Sequence, residues 1–258
     1  MELYLSGAPG FCDVSEQLQY LQSYKAVVDA NLAAFPEDEA MSLAVGGEYE
    51  LFGTLERQLL RQFGLADGHH VIDIGCGSGR LATKLAPFPG IRYSGTDIVP
   101  KMLEYTRRKC VSRPDFSFYR VEKIEVPEAV SAGDFVTFFS VFTHLLHEES
   151  YVYLEEAYRA LNKGGKVVLS FLEFGIEHNW SVFMANVDWV RKRAYLGHIN
   201  VFINRGDLAI WAEKIGFRVV DVISGDTPFI EIGDDQASEK VPGGRHAFGQ
   251  SLCILEKP

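Results

Sequence analysis

From Gly68 onward the 258-residue chain alternates short apolar runs with stretches whose apolar positions recur every three or four residues. Runs of four to eight β-branched and aromatic residues predict strands buried on both faces, and the longer period predicts helices lying on them. The strand candidates are HVIDIG, RYSGTDI, FSFYRVE, DFVTFFS, KVVLSFLE, FRVVDVI and SLCILEK. Between them RLATKLA, PKMLEYTRRK, EESYVYLEEAYRALN and GDLAIWAEKIG predict helices, the last two each expected to close on a glycine cap. Upstream, SEQLQYLQSYKAVVDANLAAF and EYELFGTLERQLLRQFGL predict two more helices, joined through PEDEAMSLAVGG. This alternation predicts an α/β chain with a doubly wound sheet and helices on both faces. The expected organisation is an N-terminal helical cap over 1–66 and a core over 67–258, with a lid-like insertion at 174–204 that is longer than a plain connection needs. No internal repeat and no low-complexity tract interrupts the pattern.

Composition narrows the class. A hydrophobic fraction of 47% with 23% charged residues suits a globular domain, and no apolar run approaches the roughly 20 residues that span a bilayer. The first residues carry neither a basic leader nor an uninterrupted apolar stretch, so no secretory signal is expected. Cys12, Cys76, Cys110 and Cys253 are scattered without a CxxC pair, which argues against zinc and against a disulfide framework and favours the cytoplasm. A net charge of −10 repels a phosphate backbone, so no nucleic-acid partner is expected; the one dense basic cluster, Arg191 to Arg193, reads as a solvated helix face. The expected state is a monomer or a homodimer.

The chemistry starts at VIDIGCGSGR, where Gly75, Gly77 and Gly79 follow a strand and precede a helix. Such a turn gathers backbone N–H groups around a concavity, and the missing Cβ atoms let a ligand approach the main chain. The spacing differs from the dinucleotide fingerprint, whose third glycine would fall at Arg80, and the Gly-Lys-Ser/Thr ending of a P-loop is absent. Asp73 would sit badly beside a pyrophosphate and well beside an ammonium group.

DIGCGSGR resembles the first motif of the class I S-adenosylmethionine-dependent methyltransferases, an acid followed by glycines at alternate positions. YSGTDIVPKML resembles the second motif of that family, which makes Asp97 the ribose-binding acid and Ile98 the apolar residue against adenine. FYRVEKIEVP resembles the third, which points to Glu122 near adenine, although Lys123 departs from the usual small neighbour. DFVTFFSVFTHL resembles the fourth, with Asp134 opening a strand and Phe139 and Ser140 passing the methionine end of the cofactor. LNKGGKVVLSF resembles the turn and strand that follow, so the likeness runs from Val71 to Phe171. The resemblance implies a seven-stranded, mostly parallel sheet with an antiparallel last strand. It also implies S-adenosyl-L-methionine as cofactor, held by Asp73, Gly75, Cys76, Gly77, Asp97, Ile98, Glu122, Phe139 and Ser140. N-terminal helices close over the cofactor in many small-molecule members, which adds Tyr49 or Phe52.

Ligands of open α/β sheets bind beyond the carboxyl ends of the strands, so an acceptor is expected near the ends of the fourth and fifth. SVFTHLLHEES and LEFGIEHNW offer His144, His147, Glu148, Glu173, His178 and Trp180 there. His144 is the candidate base, since a neutral imidazole can take a proton from a hydroxyl or amine; the alternative is a packing histidine. His144 and His147 could share a helix face, but without a third ligand no metal is expected. Trp180, Phe183, Met184, Trp189 and Tyr195 form either an aromatic lid or an extra helix packed on the body. Asp226 and His246, in the polar stretch before the last strand, could edge the pocket. The resulting expectation is a methyltransferase acting on oxygen or nitrogen of a small molecule. Two rivals are a non-catalytic binder of the same cofactor and an NAD-dependent oxidoreductase.

Overall fold

The computed structural model describes residues 21–192 and 200–258, which leaves Tyr195 and Arg193 outside the described residues. Three helices come first, α1 (Leu21–Ala34), α2 (Glu37–Val45) and α3 (Tyr49–Gln62). Then follow β1 (His70–Ile74), α4 (Arg80–Leu85), β2 (Arg92–Asp97), α5 (Pro100–Lys109), β3 (Ser117–Arg120) and β4 (Gly133–Phe138). Next come α6 (His147–Ala160), β5 (Leu161–Phe171), α7 (Asn179–Arg191), α8 (Arg205–Ile215) and β6 (Arg218–Ile223). A short hairpin, β7 (Ile230–Ile232) with β8 (Gly244–His246), precedes β9 (Ser251–Glu256).

The strands form a seven-stranded sheet in the order β3-β2-β1-β4-β5-β9-β6. Its pairs are parallel except around β9, which runs antiparallel to both β5 and β6. Order reverses between β1 and β4, the place where a doubly wound sheet opens a crevice at its strand tips.

Side chains on the central strands alternate between two cores, as a period of two requires. Val71, Phe135, Val168 and Ile254 face one core together with Leu55 and Leu59 of α3, Leu81 of α4 and Leu103 of α5. Ile72, Val136, Leu169 and Cys253 face the other with Leu154 of α6 and Leu208 of α8. α3 is therefore a layer helix against the sheet, and the hairpin is tied to its outer side by Gln58 Nε2 donating to the Glu231 carbonyl at 3.3 Å. Helices α1 and α2 join α5 instead in a small satellite core of Val28, Met41, Val99, Met102 and Tyr105.

Three local expectations change. PEDEAMSLAVGG is no plain joint: Pro36 precedes three acids in the first turn of α2, and Gly46 ends it. Helix α6 does not close on a glycine, because Leu161 turns extended at once into β5, whereas Gly216 caps α8 in the left-handed region as expected. The polar stretch before the last strand adds the short pair β7 and β8 to the seven strands expected.

Candidate active site

Beyond the tip of β1, Gly75, Gly77 and Gly79 all have positive φ, at 70°, 55° and 83°. Space demands glycine as well. A Cβ on Gly75 would lie 2.6 Å from Val141 Cγ2, and one on Gly77 would lie 2.7 Å from Val45 Cγ1. The bare turn thus lets α2 and the loop after β4 approach the main chain, and a cavity of about 350 Å³ lies among them.

Two buried carboxylates flank that turn. Asp97, at the end of β2, accepts from the Gly77 N–H at 2.9 Å and the Val99 N–H at 2.8 Å, which fixes the glycine loop to the neighbouring strand. Burial pushes its carboxyl up to about 6, against the pull of those N–H groups. Asp73, on β1, accepts from Tyr93 Oη at 2.6 Å and Thr137 Oγ1 at 2.7 Å, and burial pushes it to about 6 as well.

The cavity brings together most of the residues picked out in the sequence. Asp73, Gly75, Cys76, Gly77, Asp97 and Ile98 line one side, and Phe139, Ser140 and His144 line another. Two of the expected residues lie elsewhere. Tyr49 points its hydroxyl to the Ser78 carbonyl at 2.9 Å, bracing the loop from behind, because it opens α3 on the far side of the turn. Glu122 is turned outward into an ion pair with Arg120 at 3.0 Å, and it is Val121, one residue earlier, that lines the cavity. Phe52 is also absent from the lining; it packs edge-on against Phe248.

Sequence reasoning missed the roof and the floor. Tyr24 and Val27 of α1 and Leu43 to Gly46 around the end of α2 cover the cavity. The Tyr24 ring stands edge-on to His144 with centroids 5.3 Å apart. Below, Arg80 and Glu56 form a buried ion pair, with Arg80 Nε and Nη2 donating to Glu56 Oε1 at 2.8 and 2.6 Å. Arg80 Nη1 also holds the Gly46 carbonyl at 3.1 Å, tying floor to roof. Arg80 sits in the motif itself, at the place where the dinucleotide pattern demands glycine, and its charge is the signal that could have found it.

The remaining candidates serve the frame around the site. His147 donates through Nε2 to the Phe202 carbonyl at 3.0 Å, and His178 to the Gly249 carbonyl at 2.8 Å. Glu173 takes both Arg205 Nε at 2.9 Å and Nη2 at 2.7 Å and also accepts from Ser251 Oγ. Trp180, Phe183, Phe174 and Phe202 form an aromatic cluster outside the cavity lining, and Asn179 is the one buried residue of α7. His246 Nε2 meets the Pro242 carbonyl, and neither it nor Asp226 lines the cavity. Among the described residues no group of three or more His, Cys, Asp or Glu is placed to hold a metal ion, and no helix is long and apolar enough to cross a membrane.

Comparison with known proteins agrees with this geometry. A methyltransferase-domain family model matches residues 71–165, from the first strand into the fifth. Ubiquinone biosynthesis O-methyltransferase of Xanthomonas axonopodis pv. citri is 26% identical over 159 residues, 60% of this chain and 65% of that protein. The chain thus spans about 65% of the length of this curated relative. Demethylmenaquinone methyltransferase of Symbiobacterium thermophilum is 26% identical over 204 residues, 72% of this chain and 76% of that protein. Among solved structures, magnesium protoporphyrin IX methyltransferase from Synechocystis PCC 6803 superposes with a TM-score of 0.59 at 14% identity, covering 95% of this chain and 98% of that one. The family model thus takes in the glycine turn and the acid at the second strand's tip, and over residues 71–165 the chain is similar to the methyltransferase-domain family.

Proposed function

We propose that this protein binds S-adenosyl-L-methionine in the cavity at the β1 and β2 tips and transfers its methyl group to an oxygen or nitrogen of a small molecule. The observation that carries the reading is the joined pair of bare glycine turn and buried Asp97, one hydrogen-bonded to the other at 2.9 Å. The residues present fit the cofactor. Gly75 and Gly77 line the cavity with main chain, Asp97 is an acceptor suited to two ribose hydroxyls, and Ile98 is an apolar surface for a base. Asp73 adds negative charge at the end that would receive a cationic sulfonium.

When bound, the cofactor supplies a methyl group on a positively charged sulfur, and its leaving group is a neutral thioether. The protein therefore needs mainly to place the acceptor in line and to exclude water. Tyr24, Val27 and the end of α2 provide the cover. His144, beside Tyr24 at the acceptor side, is the group that would receive the acceptor's proton. The names of the relatives, an O-methyltransferase among them, support an oxygen acceptor. The covered cavity and the net charge of −10 support a small molecule over a nucleic acid.

The test is calorimetric titration with S-adenosylhomocysteine followed by a methyl-release assay on pooled small acceptors. Binding with turnover is expected, and His144→Ala should lower turnover while leaving cofactor affinity intact. Binding without turnover would favour a regulator that only senses the cofactor. Absence of binding would end the reading.

A further inference from the structure

The polar atoms beside Phe139 specify more than a cofactor site. Ser140, the second residue past β4, has φ of 59°, a left-handed conformation that costs a non-glycine residue energy. Its N–H donates to Ser170 Oγ on β5 at 2.7 Å, and its carbonyl accepts from Thr143 Oγ1 at 2.8 Å. Ser170 Oγ donates to Gln250 Oε1 at 2.6 Å, and Gln250 Nε2 donates back to Ser140 Oγ at 3.0 Å. Ser170 is fully buried. Gln250 enters from the residue before β9, where Gly249 is held by His178 and Phe248 lies 5.7 Å from Phe139.

Counting donors fixes every direction in this ring. A backbone N–H can only donate, so Ser170 Oγ accepts from Ser140 and its single hydrogen needs an acceptor of its own. The Gln250 carbonyl oxygen provides it. That choice turns the amide NH₂, which only donates, toward Ser140 Oγ. The reverse amide orientation would strand the Ser170 hydrogen in the core, a loss the buried site does not tolerate cheaply. Ser140 Oγ therefore accepts from Gln250, and its own hydrogen is turned out of the ring toward the cavity that Ser140 lines.

Resting on the methyl-transfer reading, we propose that the Ser140 hydroxyl is a hydrogen-bond donor reserved for an oxygen of the methyl acceptor, with Gln250 and Ser170 as positioning residues that set its polarity. The acceptor is then an acidic hydroxyl compound, such as a phenol, bound as its oxyanion. An oxygen nucleophile carries spare lone pairs, so one can receive the Ser140 hydrogen while another attacks the methyl carbon. A neutral amine has a single lone pair and cannot do both. A donor at the oxyanion also favours its ionised form. In the transfer the oxygen–methyl bond forms as the sulfur–methyl bond breaks, the sulfur keeps the electron pair, and the hydroxyl proton has already left for His144 or solvent.

The test uses 4-nitrophenol and 4-nitroaniline as probes on the full chain saturated with S-adenosylhomocysteine. Visible absorption should show 4-nitrophenol bound as its anion, with its pKa lowered by about one unit, a tenfold preference for the ionised form. 4-Nitroaniline should bind at least tenfold more weakly. In Gln250→Glu the carboxylate accepts from both serines and draws the Ser140 hydrogen back into the ring. Nitrophenolate should then bind at least tenfold more weakly while nitroaniline holds or tightens. Opposite signs exclude a damaged site, which would weaken both, and the next variant, which adds no charge, separates the hydroxyl from repulsion by the new carboxylate. Ser140→Gly, which suits the left-handed backbone and deletes the hydroxyl, should abolish the nitrophenol shift. Equal binding of the two probes by the native protein, or a nitrophenol shift that survives both substitutions, overturns the inference. Failure to bind S-adenosylhomocysteine would remove the cofactor reading and this one with it. Cofactor binding without discrimination between the probes removes this one alone.

Discussion

Replacing Asp97 with Asn should weaken the cofactor and strengthen the fold, and the two effects should separate with pH. Asp97 is only 7% exposed, and burial raises its carboxyl from 3.8 to about 6. A group whose folded pKa lies above its unfolded value contributes stability that is fully present below the unfolded value and is lost as pH rises through the folded one. Two units correspond to about 3 kcal/mol, lost by neutral pH, of which roughly 2 kcal/mol disappears between pH 4.5 and 7.5. An uncharged Asn does not titrate, so the variant should gain about 2 kcal/mol on the native protein across that interval. A constant offset comes from the Gly77 or Val99 N–H, one of which will face an amide NH₂. On the proposed reading the same change removes the charged acceptor for ribose, so affinity for S-adenosylhomocysteine should fall by about 1 to 3 kcal/mol. Urea unfolding followed by tryptophan fluorescence at several pH values gives the first number, and calorimetric titration gives the second. A stability difference that stays flat from pH 4.5 to 7.5, or an unchanged affinity, would refute the reasoning.

Arg80→Met should cost about 3 to 5 kcal/mol, because it leaves Glu56, with a side chain 2% exposed, buried without its counter-charge. Adding Glu56→Gln should restore much of the loss, and a double-mutant cycle that shows no coupling would count against the pair. Gly77→Ala should reduce cofactor affinity tenfold or more by calorimetric titration, since φ of 55° and a Cβ 2.7 Å from Val45 Cγ1 would both displace the loop. Val45→Ala in that background should recover part of it, and no recovery would mean that backbone strain alone is responsible. The ion pairs that lay α1 and α2 on α5, Asp29–Lys101, Glu37–Arg108 and Asp38–Lys109, all put the acid on the cap. Raising salt toward about 1 M, where the screening length is near 3 Å, should speed S-adenosylhomocysteine release several-fold in stopped-flow; an unchanged rate would show that the satellite core alone holds the cover.

The sheet was legible because each central strand is buried on both faces and so reads as an apolar run, whichever core a residue faces. The turn was legible because positive φ and absent side chains both demand glycine, and the acid at the β2 tip stands at the end of its run. What pairs over distance left no such trace. Glu56 and Arg80 meet across 24 positions, and Gln250 reaches Ser140 across 110. Neither spacing has a period. The misplacement of Tyr49 and Glu122 has a related cause: a motif fixes which stretch of backbone passes a site, while the side-chain direction depends on neighbours such as Ser78 and Arg120. Helix α2 carried a usable signal in Pro36 and the acids behind it, but its glycine pair reads equally well as a joint.

β9 follows β6 in the chain yet lies between β5 and β6 in space. During synthesis β6 therefore emerges with no strand to pair with, and the flank of β5 stays open until Ser251 to Glu256 arrive. A molecule stalled or clipped before that point would present two unsatisfied sheet edges, a template for joining other copies. Arrival of β9 thus closes two sheet edges together, and loss of that strand should surface as aggregation.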